Sequence, residues 1–425
     1  MLFRLFAVFL LLDVCLCLAK EPADTNYDEA KVPQYELPAL LVDEAGKTVG
    51  QSEWMGHRRA EVLQLLSNSV YGKTPEKQLK VRYELVEQDQ NALQGRATRK
   101  QIAAYYGDVG YRIDILLYVP NKVPNKVPNK VPNKVPNNAS LPSPAFLGLN
   151  FNGNHTIHAE DGILQRGTSK QRGSFAGRWQ LEMLIERGYA LATVHRDQID
   201  PDNYRNDFSD GIHPLFYENN QVEPEADEWG AIGAWAWGLS RVLDWLETED
   251  SIDAERVAVI GHSRLGKTAL WAGAQDRRFA MVVSNNSGCG GAALYRRCYG
   301  ERIHHMLKPV GYWFCRNHRQ YQKQEQTLPV DQHMLLSLVA PRPLYVASAT
   351  NDRWADPRGE FLAAKHASPV YELMGRKGLG EHDLPDPNTP IHTRIGYHSR
   401  LGDHDVTAFD WQQYLTFADK NLNSK

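Results

Sequence analysis

Apolar and polar positions along the chain follow two periods in alternation. Short apolar runs bounded by turn formers recur at 145–151, 190–194, 257–260, 279–283 and 344–349, the pattern of buried strands. Between them, residues 178–187, 230–248, the stretch around Phe361, Leu362 and Ala364, and 409–422 carry apolar residues at helical spacing. Strands alternating with helices predict an α/β fold: a mostly parallel central sheet with helices on both faces, in three layers. Upstream, 82–87, 97–106 and 111–119 read as opening strands that form an antiparallel edge, and 54–66 as a helix ending near Asn68. Two stretches break the alternation. Residues 119–138 repeat Val-Pro-Asn-Lys, where proline removes ladder donors and forbids a helix, so a solvated loop of polyproline character follows. Residues 195–227 form a long irregular insertion.

With 425 residues, the chain can bury one large core, and its net charge of −3 gives no basic field for nucleic acid. Residues 1–19, with Arg4, an apolar run and Ala19 before Lys20, predict a signal peptide, hence a secreted or periplasmic protein with no membrane span. An anchor at Cys15 or Cys17 is the weaker alternative. Residues 20–50 read as an extended leader and 51–425 as one catalytic domain acting as a monomer. Removing the signal peptide leaves Cys289, Cys298 and Cys315, which show no metal-ligand spacing.

The chemistry gathers around Gly261-His262-Ser263-Arg264-Leu265-Gly266-Lys267, a glycine turn between an apolar strand and a helix. Such an elbow lifts a serine hydroxyl clear of its neighbours, although Leu265 here holds the usual place of the second glycine. Serine needs a base, and the base needs an acid to orient it and bear its charge. His404, on the short polar loop before the last helix, is the candidate base, with His382, His392 and His398 as rivals. Asp352, just past the 344–349 strand, is the candidate acid. Asp356 is second, with an N-cap of the next helix as its alternative role. Asn285 and Asn286, after the preceding strand, cannot hold charge against an imidazolium. Arg264 offers a backbone N–H and a cation to a developing oxyanion, and Lys267 adds a donor one helical turn along.

The stretches GHSRLGKTALWAGAQDRRFA, NNSGCGGAALYRR, PVDQHMLLSLVAPRPLYVAS and GDHDVTAFDW together resemble the bacterial glucuronoyl esterases, the fifteenth carbohydrate esterase family, from about Trp54 to the C-terminus. The resemblance implies an α/β-hydrolase fold, no metal or other cofactor, and cleavage of the ester between 4-O-methyl-glucuronic acid of glucuronoxylan and lignin alcohols. It implies Ser263 as nucleophile, His404 as base and Arg264 in the oxyanion site, with Lys267, Glu301 and Trp354 contacting the sugar. Many members carry a glutamate where this chain has Asn286, which leaves Asp352 as the acid. The cysteine beside the serine in fungal members is His262 here, and a Cys289–Cys315 bridge is a substitute staple. An acetyl or feruloyl esterase, or a carbohydrate-binding relative without catalysis, are the alternative functions.

Overall fold

The computed structural model describes residues 22–121, 141–203, 207–380 and 383–422. The expected signal peptide, most of the Val-Pro-Asn-Lys repeat and His382 lie outside them. Among the described residues ten strands form one sheet: β1 (Val81–Asn91), β2 (Ala97–Tyr106), β3 (Tyr111–Pro120), β4 (Ser143–Asn150), β5 (Ala190–His195), β6 (Ile252–His262), β7 (Met281–Asn285), β8 (Leu344–Ala349), β9 (Ile391–His392) and β10 (Ile395–Arg400). Their order is β1-β2-β3-β5-β4-β6-β7-β8-β10-β9. The opening strands β1, β2 and β3 are antiparallel, as is β9 at the far edge, and β5, β4, β6, β7, β8 and β10 run parallel between them. This is the antiparallel edge on a parallel sheet that the sequence predicts.

Strand pleating explains the apolar runs. Along β4, β6 and β8, Leu147, Val259 and Val346 point to one face while Phe146, Ala258 and Tyr345 point to the other, so each strand feeds two cores. The first core takes the helices Ala231–Leu246, Arg264–Gln275 and Pro357–Leu373; the second takes Leu181–Glu186 and Ala408–Leu422. Trp235, Trp271 and Trp411 are fully buried between sheet and helices; truncating one to alanine costs about 3–5 kcal/mol. The predicted helix at 54–66 belongs to a longer run of turns, α-helical over Gln51–Glu53 and Arg59–Leu66 and π-helical over Trp54–Arg58 and Ser67–Tyr71. It stops at Gly72, whose φ of 86° and approach to Glu228 exclude a side chain: a Cβ would lie 2.2 Å from the Glu228 carbonyl oxygen.

One expectation fails. The three described cysteines are free thiols. Cys315 Sγ faces the Asn68 carbonyl at 3.9 Å, and Cys289 is buried in the turn after β7, so no Cys289–Cys315 staple forms. In that turn Gly290 packs closely against Phe314 and Tyr295. Among the described residues no helix is long and apolar enough to cross a membrane.

Candidate active site

In a parallel sheet the strand ends that lead into loops at the carboxyl edge are where side chains converge. Ser263 follows β6, Asn286 follows β7, Asp352 follows β8 and His404 follows β10. Ser263 sits at φ 58°, ψ −130°, a backbone state that L-residues rarely adopt, and its N–H donates to the Asn285 carbonyl at 2.9 Å. Gly261 makes the turn sterically feasible, since a Cβ there would lie 1.8 Å from the Leu265 carbonyl oxygen. The helix Arg264–Gln275 then starts at once, with Gly266 N and Lys267 N donating to Ser263 O.

The structure brings His404 and Asp352 together: Nδ1 lies 2.6 Å from Oδ2. Asn286 Nδ2 donates to the same Oδ2 at 2.7 Å. The His404 ring packs on the His262 ring with centroids 4.5 Å apart, which sets it beside the elbow. His262 Nδ1 is 2.6 Å from Asn285 Oδ1, and burial, then the neighbouring His404 and Arg178, push its pKa well below the usual histidine value. His262 therefore stays neutral and adds no positive charge next to His404. An apolar recess lined by Leu149, Phe151, Trp179, Ile260, Val406 and Trp411 lies against it.

The rivals are accounted for. His398 is fully buried on β10, with Nε2 2.9 Å from Asp410 Oδ1 and Nδ1 2.9 Å from Tyr345 Oη, so both nitrogens are occupied inside the core. His392 lies on the edge strand β9 against Tyr345. Asp356 caps the helix Pro357–Leu373, accepting from Gly359 N at 2.9 Å, and pairs with Arg297 at 2.8 Å, so the alternative N-cap role is the observed one.

Three residues that sequence reasoning passed over complete the arrangement. Asp202, within the 195–227 insertion, has a side chain only 1 % exposed and collects Arg264 Nη1 at 2.6 Å, Arg196 Nη2 at 2.9 Å, Trp313 Nε1 at 2.8 Å and Tyr312 Oη. Burial alone would raise its pKa, but Arg196, Arg264 and the two ring donors hold it below the ordinary carboxylate range. Arg264 thus lies clamped with its guanidinium 4.6 Å over Trp313, and among the described residues its buried Nε has no partner. Glu360 accepts from Ser287 N and Gly288 N at 2.8 and 3.0 Å and fixes the turn that carries Asn286; burial pushes its pKa up to about 8. Arg400 bonds the Asp403 and Asp405 carbonyls at 2.6 and 2.7 Å and so shapes the His404 loop. An aspartate in an irregular stretch gives no sequence signal, but Glu360 beside core-facing Phe361 and Arg400 at the end of a buried strand are charges at apolar positions, which is a signal.

Beside the elbow, Lys267 is 3 % exposed and its Nζ donates to the Ser287 and Cys289 carbonyls at 2.7 and 2.5 Å and pairs with Glu301 at 3.3 Å. Glu301 N donates to the Trp354 carbonyl at 2.8 Å, so Lys267, Glu301 and Trp354 form one connected group. Among the described residues one set could hold a metal ion: Asp24, His304 and His305. Arg302 N–H donates to His305 Nδ1 at 3.1 Å, which in the neutral ring leaves the proton on Nε2, facing Asp24. A metal-bound imidazole needs the reverse, so this set is a hydrogen-bonded anchor.

A family model described as "Glucuronyl esterase, fungi" matches residues 175–375. The chain is 44% identical over 425 residues to "Carbohydrate esterase MZ0003" from an unknown prokaryotic organism, covering 95% of this chain and 93% of that one. Among solved structures, a glucuronoyl esterase from Solibacter usitatus superposes with a TM-score of 0.85 at 44% identity, covering 92% of this chain and 99% of that one. A promiscuous CE15 esterase from the marine bacterial metagenome does so with a TM-score of 0.84 at 44% identity, over 93% and 100% of the two chains. The chain therefore belongs to the glucuronoyl esterases, carbohydrate esterase family 15, and is a carboxylic ester hydrolase of the α/β-hydrolase fold.

Proposed function

We propose that the enzyme cleaves the ester between 4-O-methyl-glucuronic acid of glucuronoxylan and lignin alcohols by two-step acyl transfer. Ser263 Oγ bonds the uronoyl carbonyl carbon while His404 takes the hydroxyl proton, and Asp352 bears against the imidazolium. The Arg264 backbone N–H and guanidinium serve the oxyanion. Collapse expels the alcohol, which receives the proton from His404. A water then attacks the acyl-serine, giving its proton to His404, and Ser263 is restored as free glucuronate departs.

The observation that carries the reading is the pair between Lys267, on the helix that begins at the elbow, and Glu301, whose backbone N–H donates to the Trp354 carbonyl. The pair and Trp354 supply an ammonium, a carboxylate and an indole, group types that suit sugar hydroxyls and a pyranose ring. Related proteins are named 4-O-methyl-glucuronoyl methylesterases. We further propose that the mature enzyme starts near residue 20, comprises one catalytic domain from residue 51, and acts as a secreted or periplasmic monomer.

Kinetics with methyl, allyl and benzyl glucuronates beside an acetyl ester test this. Glucuronate turnover that disappears in Ser263→Ala supports the reading. Preference for the acetyl ester would instead favour the broader chemistry that the name of the promiscuous relative describes. Binding without turnover in the unmutated enzyme would sink the esterase reading.

A further inference from the structure

The stretch expected to be a bare leader is docked on the loops that carry Glu301 and Trp354. Asn26 O accepts from Gly300 N at 2.9 Å, one residue before Glu301. The Tyr27 carbonyl accepts from the Arg353 guanidinium, one residue before Trp354, and that guanidinium lies 4.6 Å over the Tyr27 ring. Tyr27 also meets Tyr299 edge-on at 6.0 Å, and Glu29 reaches Arg297 at 2.7 Å, the same arginine that holds Asp356. At its outer end the Asp24 carboxylate bridges His304 Nε2 at 2.9 Å and His305 Nε2 at 3.2 Å, with Lys323 Nζ 3.5 Å away. The His305 ring lies nearly parallel to the Trp354 indole, centroids 5.3 Å apart and planes 24° apart.

We infer that residues 24–29 form a strap whose anchors, Asp24 above all, are positioning residues of the sugar subsite: Asp24 fixes His305, and His305 backs the indole of Trp354. The inference rests on the proposed role of Glu301 and Trp354 as sugar contacts. A loop pair of this length, bearing ring-stacking and hydrogen-bonding groups, loses orientation readily when nothing holds its outer face. The strap supplies that hold from a segment far away in sequence. These contacts, among the described residues, run to Lys323 and to the 297–305 and 353–354 loops and not to Ser263 or His404, so the strap's effect belongs to binding of the sugar and not to the acyl-transfer step.

The test uses the full-length enzyme carrying Asp24→Ala, with Asp24→Asn and the Asp24→Ala/Glu29→Ala double substitution alongside. With benzyl glucuronate, KM is expected to rise about fivefold in Asp24→Ala, the effect of losing a charge-assisted contact, and further in the double variant. The kcat stays within about twofold and turnover of 4-nitrophenyl acetate, which has no sugar, is unchanged. Asp24→Asn, which keeps an acceptor, recovers part of the loss. An unchanged KM in the double variant overturns the inference, as does a parallel fall in glucuronate and acetate turnover, which would mean general loosening. If the unmutated enzyme hydrolyses acetate but not glucuronates, the sugar-ester reading itself fails and the strap's role in it falls too.

Discussion

Replacing Asp352 by Asn separates geometry from charge. The residue is 6 % exposed, and its Oδ2 receives both His404 Nδ1 and Asn286 Nδ2. An amide in that place keeps an oxygen toward both donors, because its NH2 there would face two N–H groups. Asn286 therefore fixes the sense of the amide, and with it the imidazole tautomer. What disappears is the negative charge. Two unit charges about 4 Å apart at an effective dielectric near 20 attract by about 4 kcal/mol. Since the imidazolium is only partly formed in the transition state, about 3–4 kcal/mol of that is lost, or roughly 10²–10³-fold in kcat. KM for a glucuronate ester should hardly move, because the charge matters only when the proton has moved. Asp356→Asn is the paired control. It keeps an oxygen for the Gly359 N–H but leaves the buried Arg297 with Glu29 as its remaining carboxylate, so up to about 3–5 kcal/mol of stability goes, while kcat below the unfolding range stays within about threefold. Steady-state kinetics with benzyl glucuronate and thermal unfolding of both variants decide the matter. An Asp352→Asn enzyme within tenfold of the parent, or a larger kcat loss at Asp356, refutes the assignment of the acid.

Asp202→Asn should lower kcat about tenfold with the fold intact, because Arg264 loses the charge that holds it over Trp313; unchanged kcat would mean that the clamp is irrelevant to turnover. Burial raises the Glu360 pKa from the ordinary glutamate value to about 8, so between the two the folded state holds a proton that the unfolded chain has released. Its contribution is complete below the unfolded value and is lost as pH rises through the folded one. Glu360→Gln mimics the protonated form, so its melting temperature relative to the parent should climb between about pH 5 and pH 8, and a constant difference across that range argues against a shifted carboxyl. With the described cysteines free, a reducing agent should leave the melting temperature of the mature enzyme unchanged; a drop of several degrees would reveal a bridge.

The sheet was legible in the sequence because buried parallel strands need continuous apolar runs, and β4 to β8 have them. The order of Ser263, Asp352 and His404 was legible for a related reason: each stands a few residues past such a run. What lay hidden has no local pattern. Asp202 sits in an insertion without periodicity, and its meaning comes from Arg264, 62 residues away. Asp24 and Asn26 read as polar leader residues, and their contacts with the 299–305 loop come from a segment far away in sequence. Asn286 was legible as a departure from the family and as a residue unable to hold charge; its role as a donor to Asp352 required the two strand ends to be seen side by side.

The irregular glycine spacing of the elbow has a physical reason. Leu265, where a second glycine is usual, is 1 % exposed and packs into the first core. The tight approach falls one residue later, where a Cβ on Gly266 would stand 3.0 Å from Ser287 Cβ and 3.2 Å from Asn285 O. Gly266 thus lets the turn after β7 close onto the elbow helix. That turn carries Asn286, which orients Asp352, and the Ser287 and Cys289 carbonyls, which receive Lys267. The glycine at 266 therefore does two things at once: it brings the neutral donor Asn286 to Asp352, and it lets Lys267 be buried with its ammonium toward Glu301. The orientation of Asp352 and the proposed sugar subsite thus depend on the same close contact between a helix and a turn.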